Sequence, residues 1–335
     1  MTDGMLPPIM APQIARHAPT FTLLRAQRRD SAKGLDIALA GVPMDFSTYQ
    51  RAGSRYGPLQ ARQFTQTMRA GHAITRIMPY SLARIADVGD APVNLLDYEG
   101  TIAGIEAFFR EIAACGAIPL TIGGEHTITL PILRAIAKPP RGPVGVIHFD
   151  AHPDTIDNID GHKINVATVF RRSVEEKLTD PKRHVMIGIR GTMYETEAFD
   201  WARNQGMTII TMDDVEELGP KGIVATIRKV MGNNPTYLTF DLDGLCITAL
   251  PGTNNPEPGG LSIRESQAII RGLRGLDIIG ADFNELCPPN DPTGNSAIVA
   301  NNLMFEMLCV LAEQVANRRG GGQTMTTRPQ NRETA

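Results

Sequence analysis

Residues 144–154, V-G-V-I-H-F-D-A-H-P-D, run almost entirely apolar at first and then end in two carboxylates and an imidazole, Asp150, His152 and Asp154. A short, nearly continuous apolar run suits a strand buried on both faces, as in a parallel sheet. The same switch recurs along the chain. The run 117–122 gives way to Gly123-Gly124-Glu125-His126, 236–240 to Asp241-Leu242-Asp243-Gly244, and 277–283 to Asn284-Glu285. The strand candidates are 36–42, 117–122, 144–150, 184–189, 208–211, 236–241 and 277–283. Helical stretches are expected between them at 98–115, 128–137, 196–205, 222–231, 262–273 and 297–316. This alternation predicts an α/β fold in three layers, a central, mostly parallel sheet with helices on both faces. Ligands of such sheets bind outside the carboxyl ends of the strands, and each polar cluster falls there.

Composition narrows the class. With 42 % apolar residues over 335 positions, the chain can bury a sizeable core. Its 33 Lys and Arg against 36 Asp and Glu leave no basic excess for a nucleic-acid surface. No apolar run approaches the ~18 residues of a membrane span, and the N-terminus lacks a secretory pattern. A cytoplasmic protein with no nucleic-acid or membrane partner is expected. The four cysteines, Cys115, Cys246, Cys287 and Cys309, lie far apart, which argues against a disulfide framework or a structural zinc site. Residues 1–35, with Pro7, Pro8, Pro12 and Pro19, read as an irregular N-terminal segment, 36–318 as one single domain, and 319–335 as a disordered tail.

Carboxylates gathered at one sheet edge repel one another, and some would have to stay protonated. Two divalent cations resolve this, because Asp150, Asp154, Asp241 and Asp243 together balance two M²⁺ ions. Nitrogen and oxygen donors without thiolate suit Mn, Fe, Ni or Co, with Zn also acceptable. An isolated D-x-D or G-G-x-H string is weak, since either can mark no more than a turn. The weight comes from three such motifs, each directly after a buried strand.

These motifs resemble the ureohydrolases, the arginase/agmatinase family of dinuclear metal amidinohydrolases. Residues 123–127 (GGEHT) resemble the first family motif, 150–154 (DAHPD) match the second, and 241–244 (DLDG), running on to 251–253 and 256–260, resemble the third. Residues 282–288 resemble the segment with the late family glutamate, while 41–62 and 187–191 (IGIRG) look agmatinase-like. The resemblance implies two metal ions, Mn²⁺ by family habit or Ni²⁺. One would be held by His126, Asp150, Asp154 and Asp241, the other by His152, Asp150, Asp241 and Asp243, with Asp150 and Asp241 bridging. It further implies a proton-shuttling role for His162, a guanidinium-binding role for Glu285 and a proton-accepting role for Asp154. His148 is expected to be a packed residue behind Asp150.

The implied reaction hydrolyses a guanidino C–N bond to urea and an amine. Agmatine is the default substrate of the branch. Several departures from the family pattern widen the choice to 4-guanidinobutyrate, 3-guanidinopropionate, free guanidine or a biguanide such as metformin. Glu125 stands for the usual aspartate and is expected to shift the support of His126. Cys246 follows an altered third motif, Lys163 follows His162 and is a candidate for greeting a substrate carboxylate, and Asn284 precedes Glu285. Asn254-Asn255 stand where the pattern is Gly-Thr within Gly-Thr-Gly-Thr-Pro. The family assembles as trimers and hexamers, so a homo-oligomer is expected. Competing readings are a one-zinc deacetylase-type amide hydrolase and a non-catalytic partner subunit of a hetero-oligomer.

Overall fold

The computed structural model describes residues 4–320, except 12, 16, 49, 138–141 and 194. Its strands are β1 (Gln27–Arg28), β2 (Ile37–Val42), β3 (Ile85–Asp90), β4 (Ile118–Gly123), β5 (Val144–Phe149), β6 (Thr179–Ile189), β7 (Thr208–Thr211), β8 (Thr236–Asp241) and β9 (Ile278–Asn284). The α-helices are α1 (Gly57–Gln63), α2 (Pro79–Leu82), α3 (Tyr98–Ala114), α4 (Thr129–Ile136), α5 (Val169–Glu175), α6 (Glu197–Gln205), α7 (Met212–Met231), α8 (Ile263–Gly272) and α9 (Asn295–Arg319).

The strands form one parallel sheet in the order β1-β3-β2-β4-β9-β8-β5-β6-β7. Burial is divided between its faces. Ile105 and Phe109 of α3, Leu130 and Leu133 of α4 and Phe170 of α5 belong to one apolar layer. Ile223 and Ile227 of α7, Ile269 of α8 and Leu303 and Leu308 of α9 belong to the other. This is the expected three-layer α/β fold. By length and composition α9 could cross a membrane, but 78 % of its most apolar window is buried in the protein. It is a core helix.

The four strands whose ends carry the polar motifs, β4, β9, β8 and β5, are consecutive neighbours in the sheet. Their register explains how the motifs line up. Phe149, Phe240 and Phe283 are direct partners across β5, β8 and β9, and their rings stack at 4.6 and 5.6 Å on one face. Because side chains alternate along a strand, the preceding row faces the other way. That row is His148, Thr239 and Asp282, again direct partners and all fully buried. The aromatic row fixes the strand ends side by side, and the polar row lies directly beneath the residues that follow.

Elements that the pattern missed have physical reasons. Strand β3, I-A-D-V-G-D, carries Ala, Asp and Gly, which are depleted in strands. Pairing with the fully buried β2 on one side and with the edge strand β1 on the other imposes its conformation. The segment 1–35, read as irregular, contributes β1 as an edge strand and buries Leu23 and Leu24. Helix α7 starts ten residues before the expected 222. Thr211 caps it through a reciprocal bond pair with Asp214, and the helix breaks at Gly219 (φ 56°) before resuming at Pro220. The acidic first half lacks the apolar period that marks the second. The expected tail falls largely on 321–335, outside the described residues.

Candidate active site

Two strand ends use the same local device. After β5, Asp150 Oδ1 accepts the His152 backbone N–H at 2.6 Å; after β8, Asp241 Oδ1 accepts the Asp243 N–H at 2.8 Å. Each is an Asx-type turn, and each leaves the side chains at i and i+2 pointing into one space. The two loops are tied together where Asp243 Oδ1 accepts the Ala151 N–H at 3.1 Å. A Cβ on Gly244 would lie 3.0 Å from the Asp150 nitrogen, so this close approach suits glycine. Gly124 serves a third loop in the same way, because a Cβ there would sit 1.8 Å from the Met44 carbonyl oxygen.

The structure brings six of the sequence-nominated side chains together. His126 Nδ1 lies 3.0 Å from Asp154, 3.1 Å from Asp150 and 3.3 Å from Asp241. His152 Nδ1 lies 3.1 Å from Asp243 and 3.4 Å from Asp150. Asp150 thus stands between two sub-clusters. Asp154 is held in the left-handed region (φ 49°), as is Glu285 (φ 66°), the kind of strained backbone that concentrates at functional sites. Glu285 Oε1 accepts the His126 N–H at 2.8 Å and Oε2 accepts from Asn254 Nδ2 at 2.5 Å. A cleft of 420 Å³ opens over the cluster, and His126, His152, Asp154, Asp241, Asp243 and Glu285 all line it.

The electrostatics call for cations. Burial, together with repulsion from Asp243 and Asp150, holds the Asp241 carboxyl far above its ordinary value. Burial and neighbouring carboxylates likewise raise Asp154 and Asp243, and burial with repulsion from Glu125 raises Glu285. Burial lowers the imidazoles His126 and His152, but their carboxylate partners outweigh it and hold both well up. Asp150 moves the other way: burial raises it, and His126 and His148 outweigh that. Left to protons alone, the site stays partly protonated.

The donor set fits divalent metal. His126 Nδ1 has three carboxylate oxygens around it yet no aligned hydrogen bond among the described residues. Its other nitrogen, Nε2, sits 2.9 Å from Thr239 Oγ1, which donates to Asp282 at 2.6 Å and so must accept from the imidazole. In the neutral imidazole, Nδ1 therefore carries the lone pair, and it points at the carboxylates. Two triads with ligand atoms mutually within 4.8 Å, His126/His148/Asp150 and Asp150/His152/Asp243, share Asp150.

Other expected residues lie elsewhere. His162 and Lys163 are exposed on the loop following Asp154, with His162 paired to Ile159, and neither lines the cleft. The Glu125 carboxylate does not shift the support of His126. It accepts from Ser47 N (2.6 Å) and Ser47 Oγ (2.8 Å), and Thr239 supports the ring instead. His148 packs on Phe170 at 4.1 Å and reaches Asp150 Oδ2 with Nε2 at 2.8 Å, behind the cluster as expected. Cys246 lies outside the cleft lining beside Thr248.

Arg190 was not nominated as a site residue, yet it lines the cleft and spends its N–H groups on backbone carbonyls, including Asp243 (2.8 Å), Glu257 (2.7 Å) and Pro258 (2.9 Å). The signal was available, since Arg190 directly follows an apolar strand, β6.

A cluster of buried carboxylates and imidazoles at the carboxyl edge of a parallel sheet, under a cleft with a further buried glutamate, is the arrangement of a metal-binding enzyme site. Comparisons narrow the class. Residues 35–309 match the model of the arginase family. The chain is 44 % identical over 317 residues to the guanidinopropionase of Pseudomonas aeruginosa, covering 94 % of this chain and 99 % of that one. It is 41 % identical over 304 residues to the mitochondrial agmatinase of Gallus gallus, covering 91 % and 89 %. The solved structure of proclavaminate amidinohydrolase from Streptomyces clavuligerus superposes with a TM-score of 0.86 at 32 % identity, covering 90 % of this chain and 99 % of that one. The chain belongs to the arginase family and is a hydrolase of guanidino C–N bonds.

Proposed function

We propose that the enzyme hydrolyses a short ω-guanidino acid to urea and an amino acid, with two Mn²⁺ ions, as a cytoplasmic homo-oligomer, a trimer or hexamer. The observation that carries the guanidino reading is the Glu285 carboxylate, buried and lining the cleft beside the His/Asp cluster. Burial and Glu125 oppose its ionisation, so a cation in the cleft is what keeps it charged. A guanidinium is planar, always cationic and shaped to pair with a carboxylate. The carboxylate tail rests on the likeness to the guanidinopropionase.

His126, Asp150, Asp154 and Asp241 would hold one ion, and His152, Asp150, Asp241 and Asp243 the other. When bound, such a pair supplies a water ionised near neutral pH. Glu285 holds the guanidino carbon over the cluster, which is positioning work. Water adds to that carbon, and the bond to the chain-bearing nitrogen breaks. Asp154, whose carboxyl is already biased towards protonation, takes the proton from the attacking water. The departing nitrogen needs a proton. His162 is exposed off the cleft, so within the cleft Asp154 is the group placed to return it.

A second reading, agmatine, is favoured by Glu195 and Glu257, which line the cleft and suit an ammonium tail. Urea release by Mn²⁺- and Ni²⁺-loaded enzyme separates these over guanidinopropionate, guanidinobutyrate, agmatine, arginine, guanidine and metformin. Turnover of a guanidino acid with Mn²⁺ is expected. Urea from agmatine alone would establish the amine-tailed reading. Silence across the panel with two metals bound would overturn the substrate class for the isolated chain and point to a catalytic partner subunit.

A further inference from the structure

Asn254 sits where a side chain can touch the substrate's head group. It is buried, lines the cleft, and comes from the loop between β8 and α8. Its Nδ2 donates to Glu285 Oε2 at 2.5 Å and to Thr48 Oγ1 at 3.2 Å. With Glu285 ionised the amide faces this way, because the reverse orientation would set its oxygen against a carboxylate. Its Oδ1 accepts no hydrogen bond among the described residues, and it is not among the side-chain oxygens sealed from solvent without a partner. Both Nδ2 hydrogens are spent on the protein, and the acceptor is left over beside Glu285.

Glu285 is likewise part-used. Oε1 holds the His126 N–H and Oε2 holds Asn254. Each oxygen keeps one lone-pair direction for a ligand, enough for two N–H groups of a guanidinium that carries five. The next N–H along the planar edge of that cation needs its own acceptor or stays unpaired in a buried cleft. Asn254 Oδ1 is the acceptor the structure supplies.

We propose that Asn254 is a substrate-recognition residue that reads the unsubstituted terminal NH₂ of the guanidino group through Oδ1, in concert with Glu285; this rests on the guanidino-hydrolase reading. Two alkyl groups on that nitrogen remove every N–H that Oδ1 could accept, leave a buried carbonyl unpaired, and collide with a side chain that a glycine would not have. Selectivity of this kind, built on a hydrogen bond the wrong ligand cannot make, is stronger than selectivity by size alone. Asn255 makes a different contact, since its amide Nδ2 lies 3.2 Å from His152 Nε2.

The test uses Asn254→Gly and Asn254→Ala in the Mn²⁺-loaded full-length protein, with metal content and melting temperature confirming an intact site. Guanidinium ion is the binding probe, by calorimetry and as a competitive inhibitor. Guanidinopropionate and its terminally N,N-dimethylated analogue are the paired substrates. Losing one hydrogen bond to a charged group corresponds to about tenfold or more. Guanidinium binding is therefore expected to weaken by about tenfold in both variants. Preference for the unmethylated substrate should fall by a similar factor, with KM moving more than kcat. Unchanged guanidinium affinity and unchanged preference in folded, metal-replete variants would overturn the assignment. If the wild type binds guanidinium and releases no urea, the hydrolase reading fails while the binding arm still decides the role of Asn254. If the wild type does not bind guanidinium, both fall.

Discussion

Each site imidazole has one nitrogen turned to the carboxylates, and its partner nitrogen decides what it can do there. For His126 that decision is made by a chain of fully buried groups. Tyr237 Oη (2.5 Å) and Thr129 Oγ1 (2.8 Å) donate to Asp282 Oδ2, and Thr239 Oγ1 (2.6 Å) and Asn284 Nδ2 (2.7 Å) donate to Oδ1. With its proton committed to Asp282, the Thr239 hydroxyl can only accept from His126 Nε2. Thr239→Val keeps the shape and removes this constraint. Such outer partners are typically worth about 10–100-fold in metal affinity. Titration with a competing chelator should show a loss of that order on a chain that still folds, and an unaltered affinity would mean the tautomer is set by something other than Thr239. None of this is written in the motifs. Thr239 and Asp282 read as ordinary strand residues, and only the register across β8 and β9 makes them neighbours.

At the scale of elements, strand ends deliver the ligands, and one arginine binds the loops between them. The Arg190 guanidinium reaches the carbonyls of Gly188, Asp243, Gly244, Leu245, Glu257 and Pro258. It thereby joins the loop after β8 to the segment just past Asn254-Asn255. Arg190→Met retains the aliphatic stem and strips every donor, leaving part-buried carbonyls unpaired at about 1–3 kcal/mol for each one that water cannot reach. The variant should melt several degrees lower, and amides of 243–258 should exchange faster with solvent while those of the β4 core stay protected. Uniform exchange across the chain would show that the loop holds itself. Legibility followed the same division. The strands that carry ligands were visible because burial on both faces makes them near-continuously apolar, and the residue after each was the right place to look. Residues 85–90 lack that signature, and the first half of α7 is stabilised by a cap rather than an apolar stripe. His162 is a different case: a motif position names it, and the loop leaves its side chain exposed.

For the whole molecule, the site is a load of like charge placed at the centre of the sheet, on four adjacent strands that bridge both apolar layers. Its titration therefore belongs to global stability. Asp154, Asp241, Asp243 and Glu285 hold their protons above the ordinary carboxyl value, and His126 and His152 hold theirs above the ordinary imidazole value. A group raised in the folded state adds stability below its unfolded pKa and loses it as pH climbs through the folded one. Asp150 and nearby His184, which are lowered, act in the opposite sense and are two groups against six. The metal-free protein should accordingly lose stability from near the ordinary carboxyl range, about pH 4, upward. Divalent ions replace those protons and bind best where protons compete least. The rise in melting temperature on adding Mn²⁺ to chelator-stripped protein should be clearly larger at pH 8 than at pH 5.5. An equal rise at both values would mean that the charges of the cluster are balanced by something other than protons and metal. A rise confined to acid would reverse the sign on which the metal assignment depends.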